Sequence, residues 1–171
     1  MRIDPDTVAK ASRLEVLARR VGFAVLQIQA LEGASAQYLV LRSKVKRGME
    51  ADEAQRIVDK ARRETFGTTV SLMKDAGLLS EDLEKRFKAL LKERNWLVHR
   101  SRSENSAALA SDESTTALLA RIDGTEAESR KLLHALAELS EAFVLESGVS
   151  AEAIRAATAD IVHGWEDNDA I

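Results

Sequence analysis

Residues 13–40, "RLEVLARRVGFAVLQIQALEGASAQYLV", decide the fold. Within them Leu14, Leu17, Val21, Ala24, Ile28, Leu31, Ser35 and Tyr38 recur at alternating spacings of three and four. Side chains so spaced share one face of an α-helix, and a seam kept up this long is the signature of a helix packed in a bundle. Just upstream, Asp4 is suited to cap a helix and Pro5 to occupy its first position. The spacing predicts one long helix from Pro5 to about Lys44. Gly22 and Gly33 lie inside it, at points where neighbouring helices can approach or the axis can bend.

Outward from this helix the same arguments repeat. A second helix is predicted from Asp52 to about Ala76, with Ile57, Val58, Ala61, Thr65, Phe66, Val70 and Met73 facing inward. "TFGTTV" weakens it, because glycine and threonine are poor helix formers. Gly77-Leu78, Gly148-Val149 and Gly164-Trp165 each read as a helix stop, a left-handed glycine followed by an apolar residue. Ser80 caps a third helix that ends near Val98 or His99, with Glu81 and Asp82 favourably placed in its first turn. The serine-rich "SRSENSAALASDEST" reads as a loop. A fourth helix follows from about Glu113 to Ser147, with a bend expected at Gly124 and with Leu118, Ile122, Leu132, Leu136, Leu139 and Phe143 inside. A short fifth runs from Ala151 to about His163. No strand alternation appears, so the fold class is all-α: an up-and-down bundle of four main helices plus a short C-terminal one. Residues 1–165 are expected to form a single domain, with 166–171 an acidic tail.

Composition narrows the chemistry. The 171 residues are 45% hydrophobic and 31% charged, and there is no cysteine, which excludes disulfides and thiolate metal sites. His99, His134 and His163 stand apart with no metal-ligand spacing, so neither a metal nor another cofactor is expected. The N-terminus is polar and no apolar run approaches the ~20 residues needed to span a bilayer, so a soluble, cytoplasmic protein without membrane contact is expected. Charge is uneven: residues 1–103 hold 21 Lys/Arg against 14 Asp/Glu, and residues 104–171 hold 4 against 14. A basic half attracts phosphate, although ordinary solvated helix faces produce the same pattern.

The chemically informative stretch is "LLKERNWLVHRSRSEN", Leu90 to Asn105. At about 100° per residue, Leu83, Phe87, Leu90, Leu91, Leu97 and Val98 fall in an arc roughly 120° wide, and Arg94 lies near its centre. A charge there costs several kcal/mol unless it is paired and hydrogen-bonded. It can pair with a carboxylate of another helix, snorkel along its stem, or face a second subunit across a wet cleft. Glu32, beside Ile28 and Leu31 on the first helix, is the expected partner. Asn95 and His99 share a face, so the amide could orient an imidazole able to exchange protons near neutrality. Arg94 and His99 are about 140° apart on an ideal helix. They converge only if the helix ends near Val98 or the site is shared between chains. Residues 85–103 are the most basic window, and Arg100 and Arg102 add forks suited to phosphate. Trp96 lies off the apolar arc, where packing on another helix or a second subunit is the favoured expectation over stacking of a partner or an RNA base. Residue chemistry alone leaves a structural arginine and a coincidental histidine as the simpler reading.

Arg94-Asn95-x-x-x-His99, late in the third helix of an all-α bundle, resembles the RNxxxH form of the Arg-x(4–6)-His motif of HEPN domains. "LQIQALEGASAQYLV" and "TFGTTVSLMKDAGLLSEDLEKRFKALLKERNWLVHR" look like HEPN bundles of bacterial defence-associated proteins, so the resemblance covers roughly residues 14–146. It implies a homodimer in which two motifs meet, and a metal-independent endoribonuclease, either a toxin held by an antitoxin protein or a phage-defence component. His99 would then be the general acid/base, Arg94 would hold the scissile phosphate, Asn95 would position both, and Arg100 and Arg102 would bind the RNA. Many HEPN domains instead serve as non-catalytic dimerisation or binding modules. In the toxin subfamily paired with nucleotidyltransferase antitoxins, a tyrosine two residues after the histidine is modified. Ser101 stands at that position here, so regulation of that kind is not expected.

Overall fold

The computed structural model describes residues 4–46, 48–101 and 108–168, with side chains as far as Ala159. Among the described residues there are six helices and no strand: α1 (Pro5–Ser43), α2 (Ala51–Ala61), α3 (Phe66–Asp75), α4 (Glu81–His99), α5 (Asp112–Glu146) and α6 (Ala151–Asn168). The all-α expectation holds. The chain divides into two compact units, Met1–Leu136 and Ala137–Ile171.

In the first unit, α1 begins as its sequence dictates: the Asp4 side chain accepts a hydrogen bond from the Asp6 N–H, and Pro5 occupies the first position. Leu17, Ala24, Ile28, Leu31, Ser35 and Tyr38 of the seam are buried and Val21 is half-buried. Leu14, near the start, is exposed. Gly22 and Gly33 do not serve a close helix approach, since a Cβ added at either would meet nothing within 4 Å.

The predicted second helix is two helices. The chain breaks after Ala61, and α3 starts afresh with Thr65 as its cap, the Thr65 Oγ1 accepting from the Thr68 N–H at 3.2 Å. Thr65 is therefore a helix start and not an inner-face residue. The amphipathic α2 carries no fully buried side chain, whereas α3 buries Phe66, Thr69, Val70 and Met73. Gly77, at φ +66°, ends α3 as expected: its N–H donates to the Lys74 carbonyl at 2.8 Å, and the Leu78 N–H to the Met73 carbonyl at 2.9 Å. The Ser80 hydroxyl then caps α4 by accepting from the Leu83 N–H at 3.3 Å.

One core cluster joins Leu17, Ala24 and Ile28 of α1, Trp96 and Leu97 of α4, and Ile122 of α5. The buried Ser35 and Ser129 hydroxyls turn back on their own helices, Ser35 to the Leu31 carbonyl at 2.8 Å and Ser129 to the Thr125 carbonyl at 2.8 Å, while that of Thr115 also reaches the Ala108 carbonyl at 2.7 Å. Each buried donor is thereby satisfied. The uneven charge along the sequence resolves into cross-helix pairs. Arg13 meets Asp112 at 2.7 Å and Arg20 meets Asp123 at 2.6 Å, tying α1 to α5. Arg86 meets Glu128 at 2.7 Å and Glu93 meets Arg121 at 2.8 Å, tying α4 to α5. In three of these pairs a carboxylate of the acidic half neutralises an arginine of the basic half, and in the fourth Arg121 of the acidic half meets Glu93 of the basic one. Gly124 does not interrupt α5.

In the second unit the end of α5 turns at Gly148, at φ +90°, where the Val149 N–H donates to the Val144 carbonyl. Ser150 caps α6, its hydroxyl accepting from the Ala153 N–H at 3.1 Å. None of the side chains described in this unit is buried. Gly164-Trp165 is not a stop: α6 continues through it to Asn168. No helix among the described residues is long and apolar enough to cross a membrane.

Candidate functional site

The motif occupies the last two turns of α4, and its helix runs through His99 with Arg100 as the C-cap. The Arg100 N–H closes that cap on the Trp96 carbonyl at 2.8 Å. Cations at a helix C-terminus are electrostatically favoured, which suits Arg100 to this end. Around it opens a cleft of 610 Å³ lined by Lys92, Asn95, Trp96, His99, Arg100 and Arg121. Asn95 and His99 are both exposed and share this cleft, as their four-residue spacing predicts. No hydrogen bond joins them. Asn95 instead turns its Oδ1 to Arg94, accepting from Nη1 at 3.4 Å.

Arg94 does not line the cleft. Its Nε meets Glu32 Oε1 at 3.1 Å, with the two side chains 30% and 27% exposed. The pair anticipated between α4 and α1 is therefore present. It answers the question of how an arginine is tolerated on an apolar stripe: the charge is half-shielded, paired and hydrogen-bonded. Glu32 lines a separate cleft of 590 Å³ with Gln29, Gln37 and Arg62 among its walls. Because α4 stays helical through His99, Arg94 and His99 do not converge within one chain, as the helical angle implied.

Trp96, off the apolar arc drawn from sequence, packs on other helices as favoured there: it is only 6% exposed and belongs to the core cluster. One expectation about α4 is corrected. Val98, placed on the arc, is 48% exposed. The arc was drawn for one packing partner, whereas the side chains of α4 also contact α5, which widens its buried surface toward Trp96. Arg121 of α5 covers the indole, with its guanidinium carbon 3.5 Å from the ring centroid. The same guanidinium donates to Glu93, from Nε at 2.8 Å and from Nη2 at 3.4 Å. Nothing in the linear sequence marked Arg121 for this place, since it lies 28 positions beyond Glu93 and reaches the cleft only through helix packing.

Much of the basic window is consumed by structure. Lys85 pairs with Glu81, Arg86 with Glu128, and Lys88 with Glu84. Burial and hydrogen bonding act in opposite directions on Arg86, and the bond to Glu128 dominates, raising its pKa further above neutrality. Among the described residues Lys92 has no carboxylate partner, so its charge is presented to the cleft mouth. Ser101 is buried and its hydroxyl donates to the Leu97 carbonyl, so the position that could have carried a modification is turned inward. Arg102 lies outside the described residues. His134 is exposed on α5. No cluster of three His, Asp or Glu side chains is present among the described residues.

The arrangement gathers an exposed imidazole, an amide and the cationic side chains of Lys92, Arg100 and Arg121 around one open cleft. Comparison with models of known families, with curated proteins and with solved structures returns no match to the chain.

Proposed function

We propose that this chain is a HEPN-type, metal-independent endoribonuclease that works as a homodimer, its HEPN-like bundle carrying the cleft around His99. The observation that supports this reading is the gathering of His99 and Asn95 with Lys92 and Arg100 in one open cleft. His99 takes the proton of an RNA 2′-hydroxyl. The freed oxygen attacks the adjacent phosphorus, the bond to the 5′-oxygen breaks, and that oxygen takes up a proton. The products are a cyclic phosphate and a 5′-hydroxyl. The need for a 2′-hydroxyl excludes DNA. Lys92 and Arg100 hold the flanking phosphates. The arginine that stabilises the phosphorane comes from a second copy, because Arg94 of the same chain faces Glu32 and not the cleft. The exposed apolar Val98, inside the motif itself, favours such a contact.

A second reading, a HEPN-like dimerisation or binding module without catalysis, is favoured by that same Arg94–Glu32 pair, which gives the arginine a complete structural role. Single-stranded RNA incubated in EDTA with the wild-type chain and with His99→Ala and Arg94→Ala separates the two. Cleavage to cyclic-phosphate ends, lost in both variants and partly restored on mixing them, is expected of the shared-site nuclease. Binding without cleavage by the wild type establishes the module instead. A toxin role, with an antitoxin protein as partner, predicts growth arrest on expression that His99→Ala relieves.

A further inference from the structure

We infer that the outer face of α1 pairs with the same face of a second copy of this chain, antiparallel about a two-fold axis level with Leu17. This contact does not rest on the nuclease reading. A surface helix normally turns polar residues away from its core seam. Between Val8 and Leu26, α1 does the reverse. Opposite the buried Leu17, Ala24 and Ile28, its outward face carries Val8, Val16, Phe23 and Leu26, which are between 48% and 62% exposed. Within about 80° of the centre line of that face, Glu15 and Arg19 are the only charges over this stretch. They join in an ion pair at 3.2 Å, so the stripe is apolar and locally neutral. Exposed apolar side chains gathered on one face mark a contact surface.

The occupant follows from the order of residues along the stripe. At about 100° per residue, Val8, Glu15, Arg19 and Leu26 fall within about 20° of one line. Their spacings of seven, four and seven read the same in both directions, while the charge changes sign across the middle. An antiparallel copy at this register sets Leu26 on the partner's Val8 and Arg19 on the partner's Glu15, and does so twice. Self-complementarity of this kind is what a two-fold contact requires. A parallel copy in register would instead oppose like charges. Phe23, about 60° to one side of the line, comes level with the partner's Ser12, a small residue that leaves room for the ring. The stripe is about 27 Å long at 1.5 Å per residue. A single helix pair of that length buries less than the roughly 1,200 Å² at the lower end of standard stable interfaces, so the pairing is reversible and depends on concentration. It lies about 120° around α1 from Glu32, so it is distinct from a contact made through the motif of α4.

Sedimentation velocity over a range of concentrations tests the pairing. The wild-type mass is expected to double as concentration rises. Phe23→Glu and Leu26→Glu, which put a charge into the apolar contact, should each weaken that step roughly tenfold or more. Glu15→Arg and Arg19→Glu should weaken it as well, each by opposing like charges at both crossings, and an equimolar mixture of these two variants should restore it. All four positions are exposed, and circular dichroism matching the wild type checks that each variant is folded. A doubling step that survives Phe23→Glu and Leu26→Glu overturns the inference, because the copies then meet elsewhere. So does a mixture of the two charge variants that associates no better than either alone, or a wild type that shows no doubling at any concentration.

Discussion

The Arg94–Glu32 pair makes a quantitative prediction. Arg94→Met removes the charge and keeps most of the apolar stem, and Glu32→Gln removes the opposing charge at constant shape. The charged atoms are 3.1 Å apart and each side chain is about one-third exposed. An effective dielectric of about 20 gives a direct attraction on the order of 4 kcal/mol at a separation near 4 Å. Solvent screening and the cost of holding two long side chains reduce fully exposed pairs to about 0.2–1 kcal/mol, while hydrogen bonds to charged groups contribute about 1.5–3 kcal/mol. Half-buried and hydrogen-bonded, this pair should couple by roughly 1–1.5 kcal/mol. Urea unfolding of the wild type, the two single variants and the double variant measures that coupling directly. Single variants that lose stability additively, with a coupling under about 0.3 kcal/mol, would refute the claim that Glu32 is what lets Arg94 sit on the apolar stripe.

Two glycines should respond in opposite senses to alanine: Gly77→Ala, at φ +66° with open space around it, should cost about 1 kcal/mol from backbone strain alone. Gly22→Ala, within α1 and also in open space, should stabilise by up to about 1 kcal/mol, and thermal melts of both variants check the contrast. The Glu84 carboxyl is held below the usual glutamate range by hydrogen bonds from Lys88 and then Lys74. A depressed carboxylate contributes stability that is present above its unfolded pKa and disappears as pH falls through the folded one. The stability difference between wild type and Glu84→Gln should therefore be flat from neutrality to about pH 5 and shrink below about pH 4, followed by urea unfolding at each pH.

The parts of this fold that were legible in the sequence are those fixed by local rules. Asp4-Pro5, Gly77-Leu78 and Ser80 mark helix ends through backbone hydrogen bonds within a few residues, and the α1 seam is a periodicity that needs no knowledge of partners. The break between α2 and α3 was not legible, because "ARRETF" holds neither glycine nor proline. The weak helix formers of "TFGTTV" lowered the helix prediction without placing a break, and the capping hydroxyl of Thr65 looks identical to a threonine inside a helix until the backbone turns. Gly164 misled for the complementary reason: a glycine permits a helix stop without requiring one. In the candidate site, the angle between Arg94 and His99 and the shared face of Asn95 and His99 followed from one helix alone. Trp96 and Arg121 did not, since their positions depend on where α5 docks, and helix docking is a property of two surfaces. The charge division was visible in the sequence, but only the packed helices show that its two signs meet.

The pairs between α4 and α5 also act as a gauge of alignment. Arg86 opposes Glu128 and Glu93 opposes Arg121, so the two antiparallel helices carry one cation and one anion each, seven positions apart and in reversed order. Slippage of α5 by one heptad in one direction would set Arg86 against Arg121. Slippage in the other would set Glu93 against Glu128. Apolar seams repeat every seven residues and tolerate such a shift with little loss, and the Ser35 and Ser129 hydroxyls, bonded within their own helices, would not oppose it. These two surface pairs penalise both neighbouring alignments by like-charge repulsion. Correct docking brings the Arg121 side chain over Trp96, so the alignment of two helices and the construction of the cleft depend on the same four charges.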